Sequence, residues 1–209
     1  MLKKHAVLLG ISISVFLLLW AMQVYPGGSL SDKDSVGFVW SKNFISNLFA
    51  AKAVNGSDNP SRLWADAGMI FLSASFALFF IGFSKRIPHT RAAKVIKYLG
   101  SGGMLFTFLI VTPLHDLMVT ISATLFLLSM FYITVFILKS RLHLFKVLCI
   151  LYLLFFYYTL YIYGSGDYSF LPIAQKIVFV STIVLVLGLE YFTRKEDFEH
   201  LGTARRNGE

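Results

Sequence analysis

From Arg62 to Leu128 the chain consists of three apolar runs, interrupted by the basic, proline-broken segment Ser84 to Arg91 and by the polar turn Thr112-Pro113-Leu114-His115-Asp116. Runs of about 17 to 22 residues are what a hydrocarbon core ~30 Å thick asks of a helix rising 1.5 Å per residue. The composition agrees: 56% of residues are hydrophobic, 14% are charged, and the mean hydropathy is +0.70. Such a chain is too apolar for a soluble domain and reads as an integral membrane protein. The side of the membrane that the turn at His115 faces then fixes the side of everything else.

Taken in order, Met1 to Lys4 form a basic flank to an apolar run from Ala6 to Val24. This opening is like that of a signal peptide. The run is longer than a usual apolar signal core, however, and no small-x-small cleavage site follows Trp20, so an uncleaved first span is preferred over a removed signal. Tyr25-Pro26-Gly27-Gly28 stops that helix. In the loop 26–61, Trp40, Phe44 and Leu48 recur at four-residue spacing with Lys42, Asn43, Ser46 and Asn47 between them. This predicts an amphipathic interfacial helix over about 38–52. Asn55 to Ser61 is dense in turn formers, and Asn55-Gly56-Ser57 is a glycosylation sequon if the host is eukaryotic. Further spans are expected near Leu63–Phe83, Val95–Val111, Leu117–Leu138, Val147–Tyr163 and Pro172–Phe192, followed by a charged tail over 193–209 that is partly disordered. The fold class is therefore all-α: a six-transmembrane-helix bundle in a single domain over 1–192.

The basic residues cluster at the ends of the runs. In this layout the side holding both termini carries 14 Lys and Arg and the other carries 5, which by the positive-inside rule puts both termini in the cytoplasm and the His115 turn outside. In a bacterial host the membrane would be the cytoplasmic (inner) one. The net charge of +8 is thus a topology signal, and no nucleic-acid binding is read from it. Cys149, the lone cysteine, excludes a disulfide framework and a cysteine zinc site. Gly100, Gly102 and Gly103 permit close helix approach, and such small-residue faces would also allow a homo-oligomer. Met69 to Ser75 resembles Met118 to Thr124, a weak echo that helix-contact residues explain as well as an ancient repeat does.

Asp66 lies about one turn into the second span and shares a face with Ile70, Ser73 and Ala77. Asp116 opens the fourth span with Thr120 and Ala123 on its stripe and His115 beside it. Ionisable groups at a span centre cost about 2.5 to 3.5 kcal/mol, and these lie near span ends where the cost is smaller. Solvated interface residues and a functional site both remain open readings. In the functional one His115 is a general base oriented by Asp116 or Asp66. Neighbouring helical side chains point about 100° apart, so His115 and Asp116 reach one atom only in an irregular turn. Only His115 of the 5 His falls on the outer side, so a multi-histidine zinc site cannot be assembled; no metal and no cofactor are expected. Asn43, Ser46, Asn47 and Lys176 are candidate substrate-binding residues, able to meet a lipid headgroup or phosphate. Snorkelling accounts equally well for Lys176. The tyrosines of the fifth span, Tyr152 to Tyr163, read as packing and belt residues.

Walker, dinucleotide, Gly-x-Ser-x-Gly and His-Glu-x-x-His motifs are all missing from the sequence. Tyr25-Pro26-Gly27-Gly28, Phe44-Ile45-Ser46-Asn47-Leu48, Ala65-Asp66-Ala67-Gly68 and Pro113-Leu114-His115-Asp116 together resemble the bacterial membrane family called domain of unknown function nine-nine-eight. They are similar, more remotely, to the eukaryotic Frag/DRAM/Sfk membrane proteins. In that pattern the loop motif often reads Ile-Ser-Asp-Leu, and Asn47 stands here where the acid would be. The resemblance implies a six-helix bundle with its marked residues on the exoplasmic side and, through the eukaryotic relatives, a role around lipid remodelling or membrane organisation. The expected function is a lipid-headgroup-binding or membrane-organising protein with membrane lipids as partners. The alternative is a membrane-embedded hydrolase or transferase using His115 with Asp66 or Asp116, and a small transporter ranks third.

Overall fold

A computed structural model describes residues 5–166 and 168–203. The basic flank Met1 to Lys4, Asp167 and the end of the tail, 204–209, lie outside the described residues. Helices dominate: α1 (Ala6–Gln23), α2 (Ser61–Ser84), α3 (Thr90–Leu109), α4 (His115–Lys139), α5 (His143–Ser165), α6 (Leu171–Phe192) and the short α7 (Glu196–Thr203). Their ends follow local chemistry. Pro26 stands just past α1, and the ring nitrogen of His89 accepts from the Ala92 amide at the start of α3. Pro172 occupies the first turn of α6, where its missing N–H is not needed. Gly166 ends α5 with φ 75°, a left-handed conformation that costs glycine little.

Among the described residues, five helices are long and apolar enough to cross a membrane: α1, α2, α4, α5 and α6. The chain is therefore an integral membrane protein with an apolar outer surface. Phe16, Leu63, Val184 and Phe192 are each more than 60% exposed, which only a lipid solvent makes favourable at this density. The α3 helix is not among the five, because Arg91, Lys94 and Lys97 occupy its first turns and Gly100 to Gly103 its middle.

Helices α1 to α4 pack as consecutive neighbours, and small residues set how closely. A Cβ at Gly10 would lie 2.0 Å from Ser75 Oγ on α2, and one at Gly100 would lie 2.3 Å from Phe80 Cγ. Backbone and side chain meet there because hydrogen is all the glycine presents. Aromatic rings fill the middle of the bundle. Phe126 on α4 contacts Phe76 and Phe80 of α2 and Phe156 of α5, with centroids 5.6 to 6.4 Å apart. By contrast α5 touches its neighbours sparsely, leaving Leu144, Leu151, Leu154 and Tyr161 more than half exposed.

The two ends of the bundle differ. At one, His5 stacks on Tyr191, so the start of α1 meets the end of α6. Arg86, in the α2–α3 turn, donates there to the Leu189 carbonyl, Thr193 Oγ1 and Glu190 Oε2 at 2.6 to 2.9 Å. The sequence predicts a partly disordered tail, yet α7 folds back against this end. Its Phe198 is fully buried, 5.8 Å from the Phe83 ring, because an apolar ring is withdrawn from water while Glu196, Asp197 and Glu199 stay outside.

At the other end, residues 24–60 form a cap. The interfacial α-helix expected over about 38–52 is not formed. The cap holds instead an antiparallel hairpin, β1 (Gly27–Ser29) with β2 (Asp32–Val36), and one 3-10 turn, Ile45–Phe49. Asparagine side chains are the reason, since they take up the backbone groups that a helix would have paired. Gly28 has φ 82° and its Cα sits against the Asn55 amide, where a Cβ would come within 2.3 Å.

Candidate functional site

Asn43 is fully buried beneath the hairpin. Its Nδ2 donates to the Gly28 carbonyl at 2.6 Å and its Oδ1 accepts from the Val39 amide at 2.8 Å. Asn47 Oδ1 accepts from the Phe44 amide at 2.7 Å. Asn59, which by sequence is only a turn former, donates from one amide to the carbonyls of Asn47, Leu48 and Ala50. Tyr25 OH donates to the Gly28 carbonyl and accepts from the Val54 amide. Burial pushes the Tyr25 phenol above its ordinary pKa, with the Val54 amide pulling the other way.

The cap is fastened to α6. Gln175 Oε1 accepts from the Ile45 amide at 2.9 Å. Lys176, 8% exposed, donates to the carbonyls of Asn43 and Pro172, and its ammonium lies 5.4 Å from the centre of the Phe38 ring. These are neutral acceptors arranged around a cation, a combination of charge-assisted hydrogen bonds and ring contact. Of the four candidate binding residues, Asn43, Asn47 and Lys176 are thus engaged inside the protein, and Ser46 is half-buried in the same turn. Nothing about their types or spacing distinguishes a headgroup site from a clamp.

The candidate catalytic residues divide. His115 and Asp116 open α4 in its first turn, and despite the 100° between their directions the ring and carboxylate meet: His115 Nδ1 lies 2.9 Å from Asp116 Oδ1. Tyr163 OH, from the last turn of α5, donates to the same oxygen at 3.4 Å. The His115 side chain is 35% exposed and that of Asp116 85%, so the cluster faces solvent. Asp66 stands apart on α2. Its Oδ2 is 3.6 Å from Arg62 Nε one turn earlier, while its Oδ1 is buried with no hydrogen-bond partner. No hydrogen bond joins Asp66 to His115 or Asp116 among the described residues. Among those residues, too, no group of three or more His, Cys, Asp or Glu side chains could hold a metal ion.

Tyr163 is the member that sequence reasoning missed as part of the site. It is 47 residues from Asp116, and its only signal was a position at the end of an apolar run on the same side as the His115 turn. Chemically, the trio offers a carboxylate oxygen, Oδ1, met by both an imidazole nitrogen and a phenol, with the imidazole tied through Nδ1. A carboxylate at Nδ1 favours the tautomer protonated there, leaving Nε2 as acceptor.

Comparison with protein families, curated proteins and solved structures gives no match to this chain. The likeness to the nine-nine-eight family therefore rests on the four short motifs alone.

Proposed function

We propose that the protein crosses the membrane six times, keeps both termini in the cytoplasm, and engages lipid headgroups at its outward-facing cap end through His115, Asp116 and Tyr163. The observation that carries this reading is the Nδ1 to Oδ1 bond of 2.9 Å between His115 and Asp116 in a solvent-facing cluster. Asn43, Asn47 and Lys176 support the site indirectly, by holding the cap on α6.

For α3 as the sixth span, the support is connectivity. It lies against both α2 and α4 and is joined to them by the turns 85–89 and 110–114. Five residues reach at most about 18 Å, short of the ~30 Å that a second crossing would need. For orientation, the cap end holds Lys33, Lys42, Lys52, Arg62 and Lys176, and the opposite end holds the remaining described Lys and Arg. Trp20 and Trp64, packed edge to face and each at least 40% exposed, suit the headgroup level near the cap.

The deciding experiment is lipid mass spectrometry on purified full-length protein, repeated with His115→Ala, Asp116→Asn and Tyr163→Phe. Each variant should retain several-fold less lipid than the wild type. Equal retention by all three would remove the basis for the site.

The same bond favours a second reading, a hydrolase or transferase acting on a lipid-linked substrate with His115 as general base and Asp116 as its orienting carboxylate. Loss of turnover of a headgroup-labelled phospholipid in His115→Ala, with binding retained, would separate catalysis from binding. A transporter ranks last, since Phe76, Phe80, Phe126 and Phe156 fill the interior where a polar path would run. A homo-oligomer through small residues would have to use Gly82, Gly102 or Gly164, which face open space, because Gly10, Gly68, Gly100 and Gly103 are spent on contacts within the chain.

A further inference from the structure

Helix α3 turns one side to its neighbours and the other outward. Ala92, Ile96, Gly100 and Gly103 are buried. At 100° per residue, Arg91, Lys94, Tyr98 and Leu105 fall together on the opposite side, and all four are exposed there. Lys97 leaves the helix about 100° away from Tyr98, yet its ammonium lies 5.0 Å from the centre of the Tyr98 ring. A third cation is thereby drawn onto the face that Arg91 and Lys94 already occupy.

The depth of this face follows from the helices beside it. Consecutive helices α2 and α3 run antiparallel and Phe80 meets Gly100, so Lys97 stands level with Phe83 and Lys94 with Arg86. At that level α2 ends, and Arg86 reaches the end of α6 through Glu190 and Thr193. Apolar spans give way to headgroups where their charged ends begin. Leu105 lies seven residues beyond Tyr98, about 10 Å deeper. It follows closely on Gly103, which packs against Leu125 within the apolar helix α4. Charge at the headgroup level thus continues into apolar surface along one helix face.

Membrane topology accounts for how many cations this end holds, but not for the gathering of three of them on one outward face. Among the described residues no ion pair joins Arg91, Lys94 or Lys97 to a carboxylate. Glu190 is taken by Arg86, and Glu196, Asp197 and Glu199 stand on α7. A second copy of the chain laid on this face would bring like charges together. A molecule with an anionic head and a hydrocarbon tail matches it in both sign and depth. We propose that this face of α3 binds an anionic phospholipid, with its phosphate held by Arg91, Lys94 and Lys97 and an acyl chain lying along Tyr98 and Leu105. The site is at the end opposite His115, so it goes beyond the headgroup reading above and stands or falls without it.

The test uses the full chain in nanodiscs containing equal phosphatidylglycerol and phosphatidylcholine, with retained lipid read by native mass spectrometry. The wild type should retain phosphatidylglycerol in about tenfold excess. The triple variant Arg91→Gln, Lys94→Gln, Lys97→Gln should bring the two lipids to parity. A matched triple variant, Lys139→Gln, Arg141→Gln, Lys146→Gln, removes the same charge from the same end at the α4–α5 turn and should keep the excess. Lys94→Glu alone, at an exposed position, should cut the excess several-fold, so the outcome does not depend on the stability of a triple variant. His115→Ala should leave the excess unchanged. Equal loss in the two triple variants would reduce the effect to net charge and overturn the site, as would a wild type without preference. Loss of the excess in His115→Ala would move the lipid to the cap end and overturn the site on α3. Release of phosphatidylglycerol by excess soluble glycerol phosphate would assign the three cations to a free phosphate ester and overturn the lipid.

Discussion

The ammonium of Lys176 sits over the Phe38 ring and donates to the Asn43 carbonyl, tying the last long helix to the first loop through a buried charge. Among the described residues that charge pairs with no carboxylate. It also lies near the N-terminus of α6, where the helix dipole disfavours a cation. Carbonyl oxygens and a ring face are what hold it.

Lys176→Ala removes two charge-assisted bonds and a ring contact, partly offset by relief of desolvation, for a net loss of about 1 to 3 kcal/mol. Thermal unfolding in detergent should report it, together with faster protease cleavage within 30–60. A cap as resistant as that of the wild type would show that Gln175 and the asparagines hold it unaided.

Asn59→Ala withdraws a donor from three carbonyls at once and should cost about 2 to 4 kcal/mol. The loss belongs to the cap, so hydrogen exchange should rise over 44–60 while α4 and α5 keep their protection. Uniformly raised exchange would mean that the cap and bundle unfold as one unit.

Gly100→Ala drives a methyl into the Phe80 ring and should cost about 1 to 3 kcal/mol. A methyl on Gly102 would meet nothing within 4 Å, so Gly102→Ala should be neutral or gain about 0.5 to 1 kcal/mol from helix propensity. Paired thermal melts of the two variants distinguish close packing from a general intolerance of α3.

Membrane orientation is open to a direct check with an impermeant maleimide, since the native Cys149 is buried. Val36→Cys, at a position 89% exposed in the cap, should label in intact cells. Arg91→Cys, exposed at the start of α3, should label only after permeabilisation. Labelling of both from the same side would contradict the proposed crossing by α2.

Lys52 and Asp58 form an exposed pair in the cap, and the Lys52 bond holds the Asp58 carboxyl below its ordinary pKa. A depressed folded value means that the contribution is present above the unfolded pKa and is lost as pH falls through the folded one. The melting temperatures of the wild type and Lys52→Ala should therefore differ slightly near neutrality and converge in acid. A difference that persists in acid would assign the effect to something other than this carboxylate.

The long helices were legible because a bilayer makes length and apolarity sufficient, and neither depends on knowing what packs against what. Even α3, the least apolar of them, was readable as a helix from its own run Val95–Val111, although its start at Thr90 depends on the His89 cap and not on hydropathy. The cap was not legible for the opposite reason. The spacing of Trp40, Phe44 and Leu48 fits a helix, but Asn43, Asn47 and Asn59 satisfy Val39, Phe44 and three carbonyls through side chains, which hydrophobic periodicity does not register. His115 and Asp116 could be found as neighbours in the chain. Their bond to each other, and the arrival of Tyr163 from another helix, needed the turn geometry and the register of α4 against α5.

The fastening of the cap also imposes an order of assembly. The Ile45 amide and the Asn43 carbonyl find their partners 130 and 133 residues later, on α6. During synthesis the first loop must therefore wait with its polar groups hydrated, and it closes only when α6 has been made. A chain stopped after α5 would carry an open cap, without the Gln175 and Lys176 partners that fasten it.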